Sequence, residues 1–369
     1  MEPEPLDVFA RPSTQTVRTT LTALLIAIIA FLLVGCAQVA NESAGEFQGG
    51  RFAFVTTGTN SSVESYRRDP VTGALTFIDT LVVGTEPRRI VADHSSRLLY
   101  AAMSGETDLR GLRVDPDTGK LTNLGVDVAC GFDLTIHPTR NLLYCALGPD
   151  VSQYQINATT GVLTSMSTAS QGASLNGLFV TPNGKFLYAT DINDSGVYGF
   201  VLNPSTGIIT GATPTAFMAT DPGPINAAID PFSRFLFVAN MTGNTVTAYA
   251  ILANGDLSYA GAGSATQPQA LTVSADGTTL YVAATGDNEV QRYAINQTTG
   301  DISLIDSFSR NGGPLAPTVA GGGTHLYVGQ DSGPGIGLYR VEGDGSLTHF
   351  ADYGGGAGQI WGILPVDVH

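Results

Sequence analysis

"RFLFVANMTGNTVTAYAILANGDL" occupies residues 234–257 and reads as two short apolar runs and a turn. The same phrase returns as "KFLYATDINDSGVYGFVLNPSTGII" (185–209) and "TLYVAATGDNEVQRYAINQTTGDI" (279–302). An apolar run closed by an aromatic recurs as RFAF (51–54), RLLY (97–100), NLLY (141–144), KFLY (185–188), RFLF (234–237), TTLY (278–281) and THLY (324–327). The closing aromatics Phe54, Tyr100, Tyr144, Tyr188, Phe237, Tyr281 and Tyr327 lie 46, 44, 44, 49, 44 and 46 residues apart. A second column holds Tyr66, Leu112, Tyr154, Phe200, Tyr249, Tyr293 and Tyr339, and a third is glycine at 73, 119, 161, 207, 255, 300 and 345. Seven copies in one phase identify a repeat architecture.

Each copy predicts four strands. The first run is apolar at successive positions, as in a strand buried on both faces. The second run, such as VTAYAI or VQRYAI, is another β-prone stretch. DPVTGAL (69–75), DPDTGKL (115–121) and NPSTGII (203–209) are hairpin turns, in which Asp or Asn opens the turn, Pro sets φ and Gly supplies the left-handed residue. A fourth strand follows a Gly/Pro break, as in PRRIVADH (87–94), FDLTIHP (132–138), NGLFVTP (176–182), INAAIDP (225–231) and QALTVSA (269–275). Four strands in about 45 residues make a propeller blade, and the fold class is an all-β, seven-bladed β-propeller of four-stranded antiparallel blades. Open solenoids have shorter coils, and sandwiches do not repeat in register seven times. The repeats begin at residue 51 without a fourth-type strand and end on GQIWGILPVD (358–367), so this C-terminal strand is expected to join the N-terminal blade and leave no free edge. Trp361, the single tryptophan, is expected in a core or seam.

Residues 21–35, LTALLIAIIAFLLVG, form an uncharged apolar run preceded by Arg11 and Arg18. It is shorter than the roughly 20 residues of a membrane span. It ends in Leu33-Val34-Gly35-Cys36, which resembles a bacterial lipobox. The resemblance implies a signal peptide over 1–35, lipidation at Cys36 and a flexible tether over 36–50 ahead of the propeller at 51–369. The leader departs from the pattern in its length and in Glu2, Glu4 and Asp7, and Ala37 replaces the Asp that holds some lipoproteins at the inner membrane. The expected location is therefore the cell envelope, at the outer membrane or periplasmic face of a Gram-negative host, with the lipid as sole membrane contact.

Formal charge is −15, and removing residues 1–35 with their three acids and two arginines leaves −14. No basic stripe exists, which argues against nucleic acid as partner. Cys145 stands where other repeats have Ala101, Ala189, Val238 and Val282, so a small packed side chain is its simplest reading, with a disulfide to Cys130 the alternative in an exported chain. There is no CxxC, G-x-S-x-G, phosphate loop or HExxH.

The LYVAN-type strand, V-x-x-Y strand, D-P-x-T-G-x-L turn and Pro-opened fourth strand resemble the lactonase-like seven-bladed propellers (6-phosphogluconolactonase type, YVTN-like repeats) over essentially all of 51–369. That group includes bacterial 6-phosphogluconolactonases, fungal carboxymuconate-cyclising enzymes and many repeats at cell surfaces or in the periplasm. The resemblance implies His, Arg and Glu around the mouth of the central channel, with His just after the Pro of the inner strand. Here those places read Arg88-Arg89, Phe132-Asp133, Asn176-Gly177, Ile225-Asn226, Gln269-Ala270 and Leu315-Ala316. None is His, and the histidines at 94, 137, 325, 349 and 369 lack metal-ligand spacing.

Candidate ligand-binding residues at the mouth are Glu86, Arg88, Arg89, Asp133, Asn176, Asp191, Asn226 and Gln269, beside loop acids including Glu106, Asp108, Asp150, Asp194, Asp287, Glu289 and Asp331. Two arginines among carboxylates and amides suit a small acidic or sugar-like ligand. The acids alone would suit a cation such as calcium, but "TDIND" (190–194) lacks the rest of a calcium loop. Arg88 and Arg89 supply the cation a lactone hydrolase needs at its oxyanion, and no base is evident. With the His missing, the leading expectation is a non-catalytic, lipid-anchored module that acts as a monomer and binds an envelope protein, glycan or small acidic ligand, without a cofactor. The alternative is a lactone hydrolase acting on a sugar or carboxylated lactone, and export argues against the cytosolic 6-phosphogluconolactone.

Overall fold

Alternation of β-prone runs with Gly- and Asp-led turns folds the repeats into strands joined in chain order. The computed structural model describes residues 51–333, 335–354 and 359–368. The expected signal peptide, Cys36 and tether lie outside the described residues. Among the described residues, no helix is long and apolar enough to cross a membrane.

Seven antiparallel sheets of four strands each follow the repeat. Their innermost strands are Ile360–Asp367 in blade 1, then Pro87–Ala92, Leu134–Ile136, Leu175–Val180, Pro224–Ile229, Pro268–Val273 and Pro314–Ala320 in blades 2 to 7. Blade 1 is completed from both ends of the repeat region: Phe52 pairs with Val366, and Phe54 with Leu364. Arg68 fixes the end of this closing strand through a 2.6 Å ion pair with Asp367.

The second strand of a blade lies between two neighbouring blades, which explains its unbroken apolar character: Leu98–Met103 and Phe235–Asn240 are buried at every position. Outermost strands such as Leu163–Ser170 are mostly exposed. Seven apolar clusters result, one at each seam, including a cluster of Ala53, Val55, Tyr327 and Ile360 where blades 7 and 1 meet.

Two of the repeat columns prove to be one contact. Tyr100, Tyr144, Tyr188, Tyr281 and Tyr327 each donate the hydroxyl to the carbonyl of the turn glycine in the following blade, namely Gly161, Gly207, Gly255, Gly345 and Gly73, at 2.5–2.8 Å. These glycines have φ near +80°, which carries the turn and faces its carbonyl to the neighbour. Phe54 and Phe237 hold the same buried place without a hydroxyl.

The packed-thiol reading of Cys145 is corrected by the structure. Cys130 follows the outermost strand of blade 2, Cys145 lies in the second strand of blade 3, and the two form a disulfide with a Cα–Cα distance of 5.5 Å. Both columns stay buried, so the pair satisfies the small-residue position and also staples the seam.

Candidate active site at the channel mouth

The innermost strands open with a shared irregularity. Pro87 pairs with Met103 and Ile90 with Ala101, so Arg88 and Arg89 together oppose one residue. Similar shifts follow Leu175, Pro224, Pro268 and Leu315, and one on the closing strand leaves Trp361 unpaired. In blade 3 the ladder starts only at Leu134, and Ala146 donates to the Asp133 carbonyl just before it. A bulge adds a residue and re-aims its side chain. Repeated around a ring, it turns a set of side chains toward one point.

Arg88, Arg89, Asp133, Asn176, Asn226 and Gln269 accordingly line one cavity of about 80 Å³ with Trp361. Beneath it runs a channel of about 620 Å³ walled by the innermost strands, with Ile90, Ile136, Leu178 and Ile229 among its apolar lining. Arg89, Asn226 and Trp361 belong to both walls. A polar mouth over a shaft of mixed lining, where Asp93, Thr135 and Thr272 stand beside the aliphatic residues, suits a small polar ligand.

Asp133 is the most buried charge of the group, 6% exposed. Its Oδ1 accepts from the Leu134 N–H at 2.8 Å, and its Oδ2 from the Leu178 N–H at 2.9 Å. Arg89 Nε lies 3.5 Å from Oδ1. Burial pushes the Asp133 carboxyl above its usual range, against the pull of Arg89 and the two N–H groups. No base was evident from the sequence, and the structure sets this buried carboxylate in the wall of the cavity.

Arg88 stacks its guanidinium over the Trp361 ring, 4.3 Å from the centroid. Its Nε donates to Ser104 Oγ at 3.0 Å, and among the described residues it makes no ion pair. Burial lowers its pKa, with Glu86 opposing, which marks an incompletely compensated cation. The bulge is clamped from behind: Thr56 Oγ1 donates to the Arg88 carbonyl at 2.7 Å, and a Cβ at Gly362 would lie 2.7 Å from that same oxygen. Trp361, expected in a core or seam, is therefore a wall of the cavity. Asn176 brings a buried Oδ1 that has no hydrogen-bond partner among the described residues.

Two candidates lie apart from the cavity. Glu86 is exposed and reaches Arg88 only through Ser104, whose Oγ lies 3.0 Å from Glu86 Oε2. Asp191 is fully buried and organises its own loop, accepting the N–H groups of Ala173, Ser174, Asn193 and Asp194 at 2.7–3.0 Å. Burial raises its pKa, yet those four donors outweigh it and hold the carboxyl below its usual range. Other loop acids are engaged locally, Glu106 with Thr85 and Arg110, and Asp194 with Tyr198. Among the described residues, no group of three or more His, Cys, Asp or Glu is arranged to hold a metal ion.

Comparison with known proteins places this geometry in context. The family model described as "Lactonase, 7-bladed beta-propeller" matches residues 41–138, 143–263 and 259–353. A 6-phosphogluconolactonase of Pectobacterium carotovorum is 25% identical over 281 residues, covering 72% of this chain and 83% of its own. A 6-phosphogluconolactonase of Pectobacterium atrosepticum is 24% identical over 282 residues, with the same coverage. In solved structures, a periplasmic gluconolactonase of Pseudomonas aeruginosa superposes with a TM-score of 0.75 at 20% identity, covering 86% of this chain and 99% of its own. These findings overturn the expectation of a non-catalytic binding module, because the matching family and relatives carry the names of lactone hydrolases.

Proposed function

Because the chain belongs to the lactonase family of seven-bladed β-propellers, we propose that it hydrolyses a lactone at the channel mouth. One observation carries the reading: a buried carboxylate, Asp133, and a cation without an ion pair among the described residues, Arg88, face the same small cavity. Asp133 takes a proton from a water as its oxygen attacks the lactone carbonyl. The tetrahedral oxyanion forms against the Arg88 guanidinium, which sits in a partly dry site where such stabilisation is strong. The C–O bond to the ring oxygen then breaks, Asp133 returns its proton to that oxygen, and the product is the open hydroxy acid. Arg89 holds the Asp133 carboxylate in position, and the amides of Asn176, Asn226 and Gln269 take the hydroxyls of the substrate.

The substrate class is a sugar or carboxylated lactone small enough for the mouth, with Trp361 beneath its ring. Export enters through Leu33-Val34-Gly35-Cys36, and the periplasmic relative in Pseudomonas supports it. On that reading the protein is anchored by lipid at Cys36 in the envelope and meets unphosphorylated lactones rather than the cytosolic 6-phosphogluconolactone. The experiment is turnover of a panel of sugar and carboxylated lactones by wild type and Arg88→Met. Losing one oxyanion donor lowers kcat by about 10²–10³. A panel with no turnover above buffer, or an Arg88→Met variant that keeps full kcat, refutes the assignment.

A further inference from the structure

The repeat supplies its own control for a second site. In blades 1 to 6 the residue after the outermost strand donates its N–H to the carbonyl just ahead of the third strand: Val83 to Ser61, Cys130 to Thr107, Gln171 to Pro149, Thr220 to Ser195, Ala265 to Asn244 and Arg310 to Asn288. Val83, Cys130 and Ala265 are buried and apolar, and they join the seam cores. Gln171 and Thr220 are half-buried. Only in blade 6 is this residue charged, and Arg310 is still just 6% exposed.

The facing blade departs from the repeat at the matching position. Two residues ahead of the second-column aromatic, the other blades have Glu64, Arg110, Ser152, Tyr198, Thr247 and Gln291, whereas blade 7 has Gly337. A Cβ at Gly337 would lie 2.7 Å from the Arg310 guanidinium carbon, so the missing side chain makes the room that Arg310 fills. The apolar core of this seam is correspondingly thin, with six buried members against nine in the next smallest. A groove of about 660 Å³ opens there, with Arg310, Gln330, Tyr339, Leu347, His349 and Asp352 on its walls.

Within the groove the polar groups are only half paired. Arg310 Nη1 forms an ion pair with Asp352, which is also 3.3 Å from His349 Nε2. Arg310 Nε and Nη2 are buried and make no hydrogen bond of good geometry among the described residues, with the Tyr339 hydroxyl beside the guanidinium. Gln330, 1% exposed, likewise has an unpartnered Oε1. Nε and Nη2 form one edge of the guanidinium, the fork that grips a planar oxyanion with two parallel bonds. Burying such donors unpaired is unfavourable, and native interiors do so sparingly.

We propose that the groove between blades 6 and 7 is a second ligand site, for a small hydroxylated carboxylate. The carboxylate takes the Nε/Nη2 edge of Arg310, its hydroxyl donates to Gln330 Oε1, and its carbon skeleton lies on Tyr339 and Leu347. The site is independent of hydrolysis at the mouth. Its test is calorimetric titration of the purified protein with gluconate, and with inorganic phosphate for comparison, in wild type, Arg310→Met and Arg310→Lys. Two charge-assisted bonds are at stake, so Arg310→Met should weaken gluconate binding about tenfold or more. Arg310→Lys keeps the charge and loses the fork, and should show most of the same loss. Lactone turnover should stay at the wild-type level in both. If Arg310→Met does not fold, Arg310→Lys decides the matter, together with gluconate-induced shifts of the Gly337 amide signal in wild-type NMR spectra. The proposal is overturned if gluconate does not saturate the wild type, which would leave the orphan donors to ordered water. It is also overturned if both variants bind like wild type, or if phosphate alone binds.

Discussion

Replacing Asp133 by Asn separates chemistry from architecture at the mouth. The carboxylate accepts two backbone N–H groups, from Leu134 and Leu178. Asn has one acceptor oxygen and sets an NH₂ against the other donor, which leaves one buried N–H unpaired at about 1–3 kcal/mol. The pair with Arg89 adds little to that figure, because the arginine side chain is 40% exposed. The chemical effect is larger: losing a positioned general base lowers kcat by about 10²–10⁴, or roughly 3–5 kcal/mol of transition-state stabilisation. Asp133→Asn should therefore remain folded at 25 °C and lose at least a hundredfold in kcat on the best lactone of the panel. The pH profile gives a second readout. Burial raises the Asp133 pKa, so wild-type kcat/KM should climb with pH through a limb above the ordinary carboxylate range. That limb should vanish in the variant. The stability linkage runs in the other direction: the contribution of the protonated carboxyl is complete below the unfolded-state pKa and is lost as pH rises through the higher folded one. The ionised, useful form is the less stable form. A folded Asp133→Asn protein that keeps a tenth or more of wild-type kcat with the acid limb intact would refute the assignment of the base.

Three further outcomes follow from the ring. Tyr188→Phe removes the hydroxyl bond to Gly255 and leaves that carbonyl short of a donor, so thermal unfolding should show a loss of about 1–2 kcal/mol, and no change would disprove the bond's role. Cys130→Ala opens the loop of 15 residues closed by the disulfide and should lower stability by about 3 kcal/mol, with a dithiothreitol-treated wild type melting alongside it. Ending the chain before Ile360 removes the strand that pairs with Arg51–Thr57 and bares the blade 1 edge. That truncation should run as aggregate in size-exclusion chromatography, and a monomeric, cooperatively melting product would contradict closure by the C-terminal strand.

The blades were legible because their period is long and their columns are chemically strict. Tyr100 and Gly161 stand 61 residues apart, yet each recurs in its own column because the hydroxyl of one finds the carbonyl of the other. Closure was legible for a similar reason: a strand missing at residue 51 reappears at residue 360. The disulfide was not, since Cys145 fits the small, buried column as well as the alanines do, and nothing in the spacing places Cys130 across a seam. The place of Trp361 on the cavity wall was not legible, because a bulge cannot be read from composition. The bulge leaves Trp361 without a ladder partner, and the side chain then lines the cavity.

The mouth shows most plainly what a single sequence conceals. The pairs that open the innermost strands supplied residues that share one cavity, because a bulge recurs near that place in most of these strands. It did not give the chemistry, since a search for His passes over a carboxylate whose properties come from its surroundings. Asp133 and Asp191 look alike in sequence, both acids near the mouth, and both end buried. Four backbone donors turn Asp191 into a fixed, weakly basic loop anchor. Asp133 has two donors and a half-exposed arginine, too little to offset its burial, and its pKa moves the other way. On the mechanism we propose, the difference between an anchor and a base is thus the number of N–H groups the fold aims at each carboxylate. That number is set by the conformation of the loop around Asp191 and by the short inner strand that begins at Leu134.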